Sequence, residues 1–361
     1  MNKIHYSVLD GLRGIAAIAV MIHHILQVLF AYVSTRDPVS HIWLSVDFFF
    51  CLSGFVVAYA YDDRMKTIGL GRFFLKRLIR LHPLVIIGSI IGMIAYTVDP
   101  FVGAPLATGL KTVIFTFFLS LLMIPTPYLL YRDNNLFPYN AGTWSLFFGY
   151  ILNVIYALAL SRISRRWLLL VGVLSAAFLI YIVRDSSWFH GGWNTSNYMI
   201  GLARIGYSFT AGLLIFRYNL IFQHRLGFLL PCLLLIGVFL SPHRYGDWKM
   251  ELYYAMIILP VIVCLGAGAG ASGLTERLCR FLGRISYSLY MTHIPSVFLF
   301  RHYCAKINPT DGVLSLYLLI VTASLIIFNL LFAYAILRWV DEPLRKWLNE
   351  LICQKKEKHL K

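Results

Sequence analysis

Leu9-Asp10-Gly11-Leu12-Arg13-Gly14-Ile15-Ala16-Ala17-Ile18-Ala19-Val20-Met21-Ile22-His23-His24 puts an acid, an arginine and two imidazoles inside a segment otherwise apolar enough to cross a membrane. Taking Arg or Asp into a bilayer core costs at least ~2.5 kcal/mol, so such residues face a bundle interior or a wet cavity and mark a functional path. Arg13 and His24 are about three helical turns apart, so both project from one face, roughly 16 Å apart along the axis. His23 points about 100° away and reads as a packing residue. The expectation is one aqueous passage joining a cationic mouth at Arg13 to an imidazole deeper in.

The rest of the chain extends this reading. With 59% hydrophobic and 13% charged residues and a mean hydropathy of +0.72, the sequence is that of a polytopic membrane protein and excludes a soluble domain. Apolar segments recur at about 7–31, 42–61, 83–98, 110–124, 143–160, 167–184, 198–216, 226–240, 250–271, 284–303 and 313–339. The fold class read from them is all-α: a transmembrane bundle of about ten spans, with 110–124 re-entrant or interfacial. That arrangement gathers most of the 32 Lys and Arg on one side, which the positive-inside bias makes cytoplasmic, together with both termini. The net charge of +16 therefore implies contact with membrane lipids and not with nucleic acid. The first segment continues into Gln27-Val28-Leu29-Phe30 without a small-residue cleavage site and reads as a retained helix. Residues 1–345 form one integral-membrane domain, and 346–361 read as a basic cytoplasmic tail. The six cysteines show no CxxC pairing, so neither a disulfide framework nor a metal site is expected.

Other polar residues in the apolar runs are candidates for the site. Asp47 opens the second span near the depth of His24. It suits either orientation of that imidazole or neutralisation of Arg204 or Arg13. Ser53-Gly54 reads as a close-packing pair before a nucleophile. Tyr287, Tyr290 and His293, at three-residue steps, form a polar stripe on one helix face; His293 suits packing and substrate contact equally. Trp188, Trp193 and Trp248 are most simply interfacial anchors, with sugar stacking the lesser reading for Trp188 and Trp193.

The order of features resembles one family. Asp10-Gly11-Leu12-Arg13-Gly14 with His24, Val46-Asp47-Phe48-Phe49-Phe50-Cys51-Leu52-Ser53-Gly54-Phe55, Arg72 to Pro83 with Arg77 and Arg80, Trp144-Ser145-Leu146, and Leu282-Gly283-Arg284-Ile285-Ser286-Tyr287 through His293-Ile294-Pro295 together resemble the integral-membrane acyltransferase-3 family. The resemblance implies transfer of an acyl group, usually acetyl from acetyl-CoA as co-substrate, to a hydroxyl of a glycan or lipid-linked saccharide, in a bacterial inner membrane. It implies that His24 is catalytic and that Arg77 and Arg80 serve the donor; Arg13, at the cationic end of the first span, is read as a further donor residue. Independently, a neutral imidazole with an ordinary pKa near 6.5 suits removal of a sugar hydroxyl proton, and a basic cluster suits coenzyme A phosphates. Asp10, Ser53, Trp144, Ser145, Arg204, Tyr287 and His293 are supporting or acceptor-side candidates. One departure is Gly149, which stands where the family pattern after Trp144-Ser145-Leu146 carries a Glu. It keeps a catalytically weakened family member open as an alternative, and the intramembrane Arg, Asp and His also suit a transporter or flippase of an acylated or anionic solute.

Overall fold

The computed structural model describes residues 5–33, 40–102, 109–126, 134–242, 247–307 and 316–358. These are helical almost throughout. The helices are α1 Ser7–Val33, α2 Ser45–Tyr61, α3 Met65–Ile68, α4 Leu70–Thr97, α5 Leu110–Leu121, α6 Thr143–Ile155 and α7 Arg165–Ser186. They continue as α8 Tyr198–Arg217, α9 Leu229–Phe239, α10 Trp248–Tyr253, α11 Leu259–Gly268, α12 Gly273–Ile307, α13 Leu316–Ile336 and α14 Glu342–Lys358. Three π-helical stretches, Tyr156–Leu160, Tyr254–Ile258 and Leu337–Asp341, prolong α6, join α10 to α11 and join α13 to α14.

Eight of the helical segments among the described residues are long and apolar enough to cross a membrane. Two of the ten expected spans fall outside that group for different physical reasons. The segment at 226–240 forms only the 11-residue α9, about 16 Å at 1.5 Å per residue and short of a hydrocarbon core of about 30 Å. By contrast α12 has ample length, 35 residues, but carries polar side chains that an interior helix shields against its neighbours. The segment expected to be re-entrant is the 12-residue α5, also too short to span. The basic stretch read as a loop before residue 83 is helical from Leu70, and Pro83 lies inside α4. Lys, Arg and Leu are good helix formers, so the charge that marks a membrane border does not mark a helix end.

Lipid-facing helices show their apolar residues outward: on α7, Leu169, Val173 and Leu174 are exposed, and on α13 so are Ile320, Ile327 and Leu331. The interior is built by two close crossings. Along α1 and α12, a Cβ added at Gly14 would lie 2.4 Å from the Leu282 Cβ. Along α2 and α8, a Cβ at Gly54 would lie 2.0 Å from the Phe209 carbonyl oxygen. Small residues thus let the backbones approach where lipid supplies no hydrophobic drive for helix association, and Gly54 takes the packing role expected of Ser53-Gly54. The α1–α12 contact matters most for function, because it lays the Arg13–His24 face of α1 along the Tyr287–His293 stripe of α12. The chain beyond 345, expected to be a tail, continues α14 as helix to Lys358, and α14 touches α4.

Candidate functional site

Two cavities flank the α1–α12 seam. The first, about 610 Å³, is lined by His23, His24, Trp144, Arg204, Tyr290 and His293, among others. The second, about 500 Å³, is lined by Asp10, Arg13, Ser53, Arg77, Arg80 and Tyr287, among others. Phe49 lines the second and Tyr290 the first, and their rings meet edge to face at 5.8 Å. The single passage expected from the sequence is therefore two chambers with one aromatic pair at their boundary.

In the histidine cavity, His24 and His293 stack with ring centroids 5.3 Å apart and planes 9° apart. The His24 Nδ1 has no hydrogen-bond partner. His293 differs, because its Nδ1 lies 2.9 Å from the Leu289 carbonyl oxygen, one turn back on α12. A carbonyl only accepts, so that contact puts the proton on Nδ1 and leaves Nε2 as a lone-pair acceptor. The His293 Nε2 is buried and unpartnered. Two imidazoles thus offer hydrogen-bonding nitrogens that no protein group satisfies, and a buried orphan of this kind calls for a ligand or water.

Asp47 lines neither cavity. Its carboxylate is held by Arg204, whose Nε donates to Asp47 Oδ1 at 3.2 Å and whose Nη2 donates to Oδ2; both residues are at most 1% exposed. Of the two roles open to Asp47, the geometry supports neutralisation of Arg204 in place of orientation of His24. The remaining Arg204 donors reach the carbonyls of Gly191 at 3.1 Å and Trp43 at 3.3 Å, and the guanidinium lies 4.7 Å over the Phe189 ring. Arg204 therefore staples the segments before α2 and before α8 to the bundle. That staple brings in residues whose local sequence carries no functional signal: Trp43 stacks on His190 at 4.7 Å, and both line the cavity with Trp193. Aromatic faces beside imidazoles suit a sugar ring, which offers C–H groups to the faces and hydroxyls to the nitrogens. Ser145 also stands behind the wall, bonded to the Tyr290 hydroxyl at 2.7 Å. Trp188 lies instead in a separate small pocket with Glu251.

The arginine cavity is the cationic counterpart. Arg13 donates to the Gly283 carbonyl at 2.6 Å and to Ser286 Oγ at 3.0 Å and pairs with Asp10 at 3.1 Å. Much of its hydrogen-bonding capacity thus goes to joining α1 to α12. Arg77 is different: it is 9% exposed, and its Nε has no partner. A buried guanidinium without a carboxylate is expensive unless an anion completes it. The Tyr287 hydroxyl donates to the Leu81 carbonyl at 2.6 Å, tying α12 to α4. Ser53 lines the wall and hydrogen-bonds to no base among the described residues, so the geometry gives no support to an acyl-serine. Gly149 lies away from both chambers, where an added Cβ would meet only the Phe50 ring at 3.6 Å. Arg280, Arg284, Glu342 and Arg345 complete the cavity from α12 and α14. Their part was not visible beforehand, because basic residues at a membrane border look alike in sequence. Among the described residues, no group of three or more His, Cys, Asp or Glu converges as metal ligands.

Comparison with known proteins places this geometry in context. A family model described as "Acyltransferase domain" matches residues 6–337. A protein described as "Protein 2 in picA locus", from Rhizobium radiobacter, is 34% identical over 190 residues, which is 48% of this chain and 93% of that relative. No solved structure gives a significant match.

Proposed function

This chain belongs to the integral-membrane acyltransferase-3 family and is an acyltransferase, and on that premise we propose that it moves an acetyl group from acetyl-CoA to a hydroxyl of a glycan or lipid-linked saccharide. The observation that carries the proposal is the pairing of the two chambers along one face of α1. Arg13 lines the cationic one and His24 the imidazole one, and the rings of Phe49 and Tyr290 meet between them. In this reading the nucleotide enters from the cytoplasm and docks in the arginine cavity, with Arg77 as its principal buried cation. The pantetheine arm passes the Phe49–Tyr290 pair and presents the thioester beside His24. The acceptor saccharide occupies the histidine cavity against Trp144, Trp193, Trp43 and His190.

The step conserves atoms and charge. The acceptor oxygen attacks the thioester carbonyl while His24 takes its proton, so the C–O bond forms as the charge develops. Collapse breaks the C–S bond, and the proton returns from the imidazolium to the leaving thiolate, releasing coenzyme A as the thiol. His293, with its Nε2 lone pair set by the Leu289 contact, accepts a hydrogen bond from the acceptor and helps to orient it. In this reading the chain lies in the inner membrane of a bacterial cell, with the arginine cavity on the cytoplasmic side.

Arg77→Ala tests the donor assignment. It removes a guanidinium whose Nε has no partner in the protein, so the bundle should insert and fold as before. Loss of a charge-assisted contact of about 1.5–3 kcal/mol should weaken coenzyme A binding by roughly 10- to 100-fold, read by titration calorimetry. Unchanged affinity would assign Arg77 to topology alone. Two chambers on either side of one closed pair also fit a carrier that alternates access, the second reading. Passage of labelled saccharide into vesicles without release of any thiol would favour it.

A further inference from the structure

The arginine cavity adjoins a third space, a basin of about 530 Å³ lined by Lys76, Ile79, Arg80, Arg284, Glu342, Arg345 and Asn349. Four of these are cations and one is an acid. Arg80, Arg284, Glu342 and Arg345 line both spaces, so basin and cavity are contiguous. Three of the basin's seven lining residues, Glu342, Arg345 and Asn349, come from α14, which begins after the family match ends at residue 337. Its acids hold arginines in place. Glu342 accepts from the Arg284 Nε at 3.0 Å and Nη2 at 2.6 Å, and the buried Asp341 pairs with the Arg345 Nη2. An arginine has five N–H donors, so each keeps donors beyond those its acid takes. Lys76 and Arg80 make no ion pair among the described residues. The result is two pre-oriented guanidinium groups and two uncompensated cations around one space, a cradle for a doubly charged phosphate monoester.

We propose that this basin binds the ribose 3′-phosphate of the donor nucleotide, so that α14 is part of the donor site and selects coenzyme A over carriers lacking that group. The assignment rests on the acyl-CoA reading above and deepens it. The contiguity carries the argument: a nucleotide whose diphosphate lies at Arg77 and Arg80 brings its ribose to the space that Arg80 shares with Arg284 and Arg345. A terminal phosphate monoester holds more charge than either diphosphate oxygen pair, and the basin sets four cations against the single acid Glu342. An anionic lipid headgroup shares this chemistry, and the test separates the two sources.

The experiment measures binding of coenzyme A and of 3′-dephospho-coenzyme A to the full-length protein in phosphatidylcholine vesicles by titration calorimetry. The intact protein should bind coenzyme A about tenfold more tightly. Lys76→Ala, at an exposed position, should erode that preference by weakening coenzyme A and leaving 3′-dephospho-coenzyme A unchanged. Arg345→Lys, which keeps a cation beside the buried Asp341, should erode the preference in part. Equal affinity of the intact protein for both ligands would overturn the proposal while leaving the acyl-CoA reading in place. Failure of both ligands to bind would remove this proposal and the acyl-CoA reading together. Preference that survives Lys76→Ala, or a loss of affinity for both ligands alike in that variant, would also overturn it. If phosphatidylglycerol in the vesicles lowers coenzyme A affinity and the two ligands are not distinguished, the basin holds a lipid headgroup and not the donor.

Discussion

His24→Ala should abolish release of free thiol from acetyl-CoA in the presence of acceptor while leaving donor binding intact. The imidazole lines the histidine cavity and the nucleotide cations line the other chamber, so the variant separates chemistry from binding. General acid–base groups contribute about 10²- to 10⁴-fold, and the loss should fall in kcat within that range. Coenzyme A affinity should change little. Truncation of a ring that borders an existing cavity opens little new void, so the bundle should keep its thermal midpoint. The stacked partner sharpens the test. His293→Ala removes an acceptor whose tautomer the Leu289 carbonyl sets; on this account it raises the KM for the saccharide more than it lowers kcat. If instead His293→Ala abolishes turnover and His24→Ala spares it, the base has been assigned to the wrong ring.

Asp47→Ala should have the largest effect on stability. It strips Arg204, 1% exposed, of its only carboxylate partner among the described residues and leaves a buried charge uncompensated. Breaking such a pair costs about 3–5 kcal/mol. The loss should appear as a lower thermal midpoint, and as faster proteolysis of the segment around Gly191, whose carbonyl Arg204 holds at 3.1 Å. Replacing both partners by apolar residues, Asp47→Leu with Arg204→Met, should recover much of the loss, since an apolar pair carries no desolvation cost. The contrast with His24 is the point. If Asp47 oriented the catalytic imidazole, Asp47→Asn would lower kcat with unchanged stability, and the double variant would recover nothing.

Much of the site was legible because membrane interiors punish polar residues that lack a purpose. The Arg13–His24 spacing and the Tyr287–His293 stripe each state a helix face, and the fold puts those faces against one another. Periodicity along one helix does not name the helix across from it, which is why Asp47 had more than one plausible partner until Arg204 was placed. Trp43 and His190 were illegible for a related reason: they lie at helix borders in sequence and reach the cavity through a guanidinium far along the chain. The segment at 284–303 reads as a span in the sequence, yet the whole of α12 falls outside the group apolar enough to cross, because a helix whose polar face is covered by protein need not be apolar all round. The basic residues around Arg345 read as topology, since a positive-inside signal and an anion site use the same side chains.

The central claim is that the acyl end of a donor held at Arg77 and Arg80 reaches His24 past Phe49 and Tyr290. A coenzyme A thioester carrying a short diazirine acyl group, photolysed on the protein in lipid and mapped by peptide mass spectrometry, tests it most directly. The account predicts adducts on residues of the histidine cavity such as Val20, Gln27 and Ile294, lost when excess coenzyme A competes. Adducts confined to the arginine cavity, on residues such as Leu52 and Val56, would show that the boundary stays shut to the acyl group and would contradict it.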